Sequence, residues 1–277
     1  MECHRIDHKM KDIALMINPI RIIRHVASKI INNSNNNINN YHCCNNCESI
    51  IKFYNDILSD PVKIWLYQNR EERMDASNDM FDESRRRFHL ERYHFAAKFC
   101  NDKVVADIAC GTGYGTELLS RTGNAKMVFG VDVSSEAINY ANIRHSGKSN
   151  VFICSLGETT GLGDDSIDII VSFETIEHVP NDLDLLKEFH RILKAGGILV
   201  CSTPNEWPIE LATHHLREYS RDSFCGVLEK YFIIDGLYNQ NSGGSSPFNH
   251  EQPFGIVETS DENYSLAECF IAVCKKE

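Results

Sequence analysis

The chain has 277 residues, 42% hydrophobic and 24% charged, with a formal net charge of −11. This is long enough to bury the core of one large domain plus an extension, and the acidic balance speaks against phosphate-driven binding of nucleic acid. No stretch approaches the roughly 20 apolar residues of a transmembrane helix, and the run Ile13–Ile17, flanked by Lys11, Asp12, Asn18 and Pro19, is too short for a secretory leader. Most of the 11 cysteines stand singly in apolar contexts, as buried thiols do in a reduced, cytoplasmic compartment.

The first 52 residues hold seven Lys/Arg and four Asp/Glu, leaving −14 on the remainder. Ile13, Ile17, Ile20, Ile23, Val26 and Ile30 recur at helical spacing with Arg21, Arg24, His25 and Lys29 among them. Residues 13–31 therefore read as a helix that docks on the body of the protein, on a partner or on a membrane surface. Residues 32–40 are almost all Asn, a low-complexity linker. His42, Cys43, Cys44 and Cys47 come next without the paired spacing of a zinc site, so no metal ligands are assigned there. Residues 1–60 form a helical and Asn-rich, partly disordered extension ahead of a domain at 61–277.

From Ser84 to Cys100 the pattern predicts a helix. Beyond it, β-rich runs at 104–109, 127–132, 151–154, 167–173, 197–202, 231–235 and 268–274 alternate with helical stretches at about 114–121, 134–145, 182–193 and 221–230. Alternation of this kind predicts an α/β, Rossmann-like, seven-stranded and mostly parallel sheet with helices on both faces and an antiparallel edge strand.

The segment Asp107-Ile108-Ala109-Cys110-Gly111-Thr112-Gly113-Tyr114-Gly115 comes after the first strand and opens a helix, the context in which a glycine-rich turn binds nucleotides. Gly111 and Gly113 allow close backbone approach to a ligand. Asp132 ends the second strand 21 residues after Gly111 and is placed to accept both hydroxyls of a ribose. Its alternative role, a helix cap, is one that Ser134 can fill unaided. Thr116 occupies the third glycine position of the dinucleotide pattern, and Asp107 would repel a pyrophosphate but suits an ammonium. The loop therefore leans toward S-adenosylmethionine and away from NAD.

These segments together resemble the class I S-adenosylmethionine-dependent methyltransferases, and among them the type-11 family. Val104–Ser120 resembles their first motif and Val128–Ala141 the next. Phe173-Glu174-Thr175-Ile176-Glu177-His178-Val179 resembles the family's "FETIEHV" segment, and Arg191–Gly197 its "RxLKPGG", with Ala195 in place of Pro. Ser202–Asn205 and His215–Tyr219 resemble the ending of a subgroup found in surface-glycan and small-molecule pathways, and Glu72–Asp75 and Arg87–Tyr93 its lead-in helix. The resemblance covers roughly residues 70–277. It implies that Gly111 and Gly113 line the methionyl group with Asp107 beneath its amino group. It further implies that Asp132 holds the ribose, Val133 flanks the adenine and Tyr93 closes over the cofactor. Leu156, Gly157 and Phe173 complete the cofactor set. The family usually places an Asp, a hydrogen-bond acceptor for the adenine amino group, where Leu156 stands. Its loss costs about 0.5–1.5 kcal/mol unless Glu158 or a backbone carbonyl substitutes.

At the acceptor end, His178 is the candidate base, Glu174 the candidate orienting group and His215 a further catalytic candidate; each has a structural alternative in a loop hydrogen bond or a helix cap. Trp65 and Trp207 read as packing residues. The leading expectation is O-methylation of a glycan, a sugar or another small hydroxylated metabolite. A nicotinamide-dependent oxidoreductase and a non-catalytic module of methyltransferase fold are the alternatives.

Overall fold

The computed structural model describes residues 60–69, 74–79, 81–206, 214–243 and 252–277. The expected helix at 13–31, the Asn-rich linker, the cysteine cluster, Glu72, Arg73 and Trp207 lie outside them. The chain divides into a unit ending at Asn69 and a second spanning Arg70–Glu277. In the first, helix α1 (Pro61–Gln68) starts where the Asp60 side chain accepts the Val62 N–H at 2.9 Å, with Pro61 in the first turn where no N–H is needed.

The second unit is built on a sheet of eight strands: β1 (Val104–Ile108), β2 (Met127–Asp132), β3 (Asn150–Cys154), β4 (Ile167–Phe173), β5 (Leu193–Pro204), β6 (Ile233–Asn241), β7 (Gly255–Glu258) and β8 (Cys269–Lys275). Their spatial order is β3-β2-β1-β4-β5-β8-β6-β7. The first five pair in parallel, and β8 inserts antiparallel between β5 and β6. The five parallel strands and β8 fall where the sequence places them. The eighth strand, β7, is four residues long and pairs antiparallel with β6 at the edge; so short a run gives no periodicity to read. Strand β6 runs on to Asn241, beyond the expected end at 235, because its far half is polar yet buried. Gln240 donates to the Phe88 carbonyl at 2.7 Å and Asn239 to Asn263, partners that hydrophobic alternation cannot reveal.

Helices α2 (Glu83–Ala97), α3 (Tyr114–Arg121), α4 (Ser135–Arg144), α5 (Asp182–Ile192) and α6 (Arg221–Leu228) flank the sheet. Asp82, Ser134, Asn181 and Ser220 each cap their helix with a side-chain oxygen. Helix α3 differs: its N-cap is Gly113 at φ 86°, with no side-chain cap. Successive strand residues point to opposite faces, so Val105, Ile169 and Val171 pack with Phe95, Ala96 and Leu119 on one side. On the other side Ala106, Ile108 and Ile170 pack with Leu185, Phe189 and Phe224. The chain steps from β3 at one edge to β4 on the far side of β1, so the carboxyl ends of β1 and β4 form the topological switch point where open α/β sheets bind ligands.

Candidate functional site

A cleft of about 540 Å3 opens at that switch point. Its floor is the turn after β1. Ala109, Gly111 and Gly113 have φ of 61°, 54° and 86°, a left-handed run that glycine tolerates and that strains Ala109. A Cβ on Gly111 would meet no protein atom within 4 Å. Gly115 is required for another reason: its Cβ would lie 2.0 Å from the Tyr93 ring. The tight glycine spacing thus makes a slot for Tyr93, whose ring is wedged edge-on between Tyr114 and Phe173, with centroids 5.4 and 5.1 Å away. Tyr93 therefore lies packed beneath the loop and lines the cleft from there.

Asp107 is 1% exposed and lies under the turn, outside the wall of the cleft. Thr116 donates to one of its oxygens at 2.7 Å and the Tyr93 hydroxyl to the other at 3.3 Å. Burial pushes its carboxyl up to about 7, and the charge of Asp132 adds to the rise against these two hydrogen bonds. Asp132 accepts the Gly111 N–H and the Ser134 N–H, both at 2.9 Å, one on each oxygen. Ser134 caps α4 through the Ala137 N–H, so Asp132 is not the cap. A carboxylate offers about four acceptor sites, and the two backbone bonds fix its orientation at the cleft wall. Beyond it Val133 and Leu156, 61% and 51% exposed, line the same cleft with Gly157 and Glu158. Two exposed apolar side chains on one cleft suit a flat apolar ligand.

The opposite end is set by β4 and the loop leaving it. Glu174 has φ 49°, a strained conformation for a non-glycine residue, of the kind that collects at functional sites. Its Oε1 is 2.8 Å from Nη1 of Arg92, which is 2% exposed, and accepts from Ser202 Oγ at 2.9 Å and Cys269 Sγ at 3.2 Å. Burial opposes the Arg92 charge, but Glu174 outweighs it and raises its pKa. Arg92 can only donate to His89 Nδ1, 3.3 Å away, so His89 is neutral with Nε2 protonated. Burial, then Arg92, hold its pKa well below 6.5. Glu174 is thus fixed as the partner of Arg92 as well as a wall of the cleft.

His178 lines the cleft, and its Nδ1 lies 2.9 Å from the His214 carbonyl. Nδ1 must carry a proton for that bond, so Nε2 is the nitrogen left for other partners. His215 is brought edge-on to His178, centroids 4.7 Å apart, though it does not itself reach the cleft wall. The segment that carries it is tied down by Arg217, which donates to the carbonyls of Ile176, Val179 and Pro180 at 2.7–2.9 Å, and by the Leu216 N–H on the Glu177 carbonyl. Burial, with the neighbouring His178, lowers the His215 pKa.

Of the residues that the sequence points to, Tyr93, Gly111, Asp132, Val133, Leu156, Gly157, Phe173, Glu174 and His178 share this one cleft. Asp107, Gly113 and His215 stand behind it. A Cβ on Gly113 would meet Ala141 and Phe152 at 2.7 Å, so that glycine serves packing as well as the turn. Sequence reasoning gave no role to Arg92 or Glu177. The only signal was position: Arg92 precedes Tyr93 on α2, and Glu177 stands three residues after Glu174.

A parallel sheet with a glycine turn under a cleft, an acid at the end of β2 and a helix without a side-chain cap at its floor is the arrangement in which open α/β folds bind nucleotides. Residues 106–201 match the family model described as a methyltransferase domain. A probable S-adenosylmethionine-dependent methyltransferase of Mycobacterium tuberculosis is 31% identical over 157 residues, 54% of this chain and 55% of that protein. A phthiotriol/phenolphthiotriol dimycocerosates methyltransferase of Mycobacterium ulcerans is 28% identical over 165 residues, 57% of this chain and 60% of that one. The chain spans about half the length of the curated relatives it matches. A chain from the complex between the Trm112 methyltransferase activator and a methyltransferase of Haloferax volcanii shares the fold. Its TM-score is 0.60 at 20% identity, covering 78% of this chain and 98% of that one. Residues 106–201 are thus similar to a methyltransferase domain, and the relatives that extend beyond them include probable S-adenosylmethionine-dependent methyltransferases. No described helix is long and apolar enough to cross a membrane.

Proposed function

We propose that this chain transfers a methyl group from S-adenosylmethionine to an oxygen of a glycan, a sugar or another small hydroxylated metabolite. The observation that carries the reading is a single cleft. Its Asp132 and Gly111 end fits a nucleoside, and its His178 end fits an acceptor. The residues present suit the cofactor. Gly111 leaves open space where a side chain would stand. Asp132 is oriented for the ribose hydroxyls, and Val133 and Leu156 offer apolar faces for the adenine. Asp107 would act from beneath the turn: a cation bound above it favours the carboxylate over the protonated form. Thr116, engaged by Asp107, leaves no glycine for a pyrophosphate, which counts against a nicotinamide cofactor.

When bound, the cofactor supplies an electrophilic methyl on a sulfonium. The protein's own part is to orient the acceptor, exclude water and remove the hydroxyl proton. His178 lines the cleft at that end and is the candidate group to take the proton. Isothermal titration with S-adenosylhomocysteine, then a labelled-methyl screen of sugar and cell-envelope fractions, tests the reading. One equivalent of binding, lost in Asp132→Ala, is expected. No binding in the parent protein, or binding that ignores the substitution, would reject it.

A further inference from the structure

Behind the cleft wall, Glu177 is 1% exposed and its Oε1 has no hydrogen-bond partner. Its other oxygen accepts from Thr203 at 3.2 Å. A buried carboxylate oxygen without a donor is costly. What faces it is His178 Nε2, 3.7 Å away, too far for a hydrogen bond. The His214 carbonyl accepts the hydrogen bond from Nδ1, so Nε2 is the ring nitrogen turned to the Glu177 oxygen. A ring nitrogen of His215 completes the set, with the three donor atoms within 4.8 Å of one another.

We infer that Glu177, His178 and His215 bind a divalent transition-metal cation of the zinc class. The donor set is two imidazoles and one carboxylate, which suits zinc. Such ligands stand about 2.0–2.2 Å from a tetrahedral metal and so about 3.4 Å from one another, and the loop that carries His215 has to draw in for the cluster to take one. The second sphere is already built. The His214 carbonyl orients His178 as carbonyls orient metal-ligating histidines, Thr203 holds the second Glu177 oxygen, and Arg217 pins the two loops together. A protonated Glu177 is the competing arrangement, since burial, with the charge of Glu174, pushes its pKa well up. A cation relieves the same repulsion without a proton. Three protein ligands leave a coordination position open, and His178 lines the cleft, so that position is available to an oxygen of the acceptor. Cation binding is independent of the methyl-transfer reading; the acceptor role rests on it. With the cation in place, His178 is a ligand, and acidification of a bound hydroxyl replaces its role as base.

The test uses the full chain, stripped with a chelator, in a background where Cys43, Cys44 and Cys47 are changed to Ser so that thiolates do not compete. Titration with Zn2+ alone should give one equivalent, and Co2+ should give an absorption spectrum of nitrogen and oxygen ligands without thiolate charge transfer. His215→Ala and Glu177→Gln should each weaken Zn2+ binding at least about 100-fold, beyond the effect of losing an outer-sphere contact. Circular dichroism and S-adenosylhomocysteine binding should stay intact. His215 is half-buried in a surface loop, so its variant remains informative if Glu177→Gln fails to fold. No stoichiometric binding in the triple-Ser background, or binding unchanged in His215→Ala, overturns the inference. Absence of S-adenosylhomocysteine binding in the unsubstituted chain would instead reject the methyltransferase reading and leave the cation result standing.

Discussion

The two ends of the cleft are built by opposite means. At the end proposed for the nucleoside, both acids have their partners: Asp107 has Thr116 and Tyr93, and Asp132 has two backbone N–H groups. The segments that supply them are close in sequence. At the acceptor end, Glu174 is strained, Glu177 has an orphaned oxygen, and two imidazoles come from loops 37 residues apart. One end is a rigid template; the other stores unsatisfied chemistry. Strain and orphaned polar atoms concentrate where a protein acts.

The largest expected effect lies at the strained end. Arg92→Met leaves the Glu174 carboxylate without its cation and should destabilise the fold by about 3–4 kcal/mol, since breaking a buried pair strands a charge. Urea unfolding measures it, and a loss below about 1 kcal/mol would show that the two ends differ less than the geometry says. Asp132→Ala should instead leave stability nearly intact and cut S-adenosylhomocysteine affinity about 100-fold, through two charge-assisted bonds of about 1.5 kcal/mol each. If unfolding suffers more than binding, the template end is structural first.

A third prediction concerns the clamp beside the nucleoside end. His145 lies between Glu117 Oε2, at 2.7 Å, and Asp75 Oδ2, at 3.1 Å. Thr112 in the glycine turn donates to the carbonyl of Met74, next to Asp75. Burial disfavours the imidazolium, but the two carboxylates win and raise its pKa above 6.5. Burial also opposes the Asp75 charge, but His145 and Ser77 win and lower its pKa below 3.8. The histidine's contribution is complete below pH 6.5 and fades as pH rises through its folded value. The aspartate's is complete above 3.8 and fades as pH falls through its own. The clamp is therefore strongest between those pH values and worth about 2 kcal/mol. Thermal melts from pH 3 to 9 should show that maximum, and His145→Gln should flatten it; an unchanged profile would mean that the clamp adds nothing to stability.

The smallest effect tests the departure at Leu156. Leu156→Asp should restore an acceptor for the adenine amino group and tighten S-adenosylhomocysteine threefold to tenfold. A weaker or unchanged affinity would mean that the adenine is held elsewhere, by Glu158 or by the backbone.

The contrast between the two ends also sets what the sequence discloses. The parallel strands are legible because each is a compact apolar run with a helix after it, and the turn because its glycines and acids lie in one segment. Strand β7 escapes because four residues carry no period. The slot that Tyr93 fills does not read from sequence because its neighbour in space, Gly115, is 22 residues away, and nothing local says that a ring fits there. The Glu177–His178–His215 cluster escapes for the same reason: Arg217 brings its halves together through backbone carbonyls, which no residue pattern encodes.

The wedge of Tyr93 under Gly115 also bears on how the domain assembles. The glycine turn cannot reach its final shape until α2 has docked, because the aromatic ring fills the space beneath it and its hydroxyl satisfies Asp107. A fragment starting at β1 would leave a hole under the turn and one oxygen of a buried acid without its donor. The helix before the first strand is thus part of the nucleotide turn in every sense except chain continuity, and the smallest competent piece of this fold has to begin before Glu83.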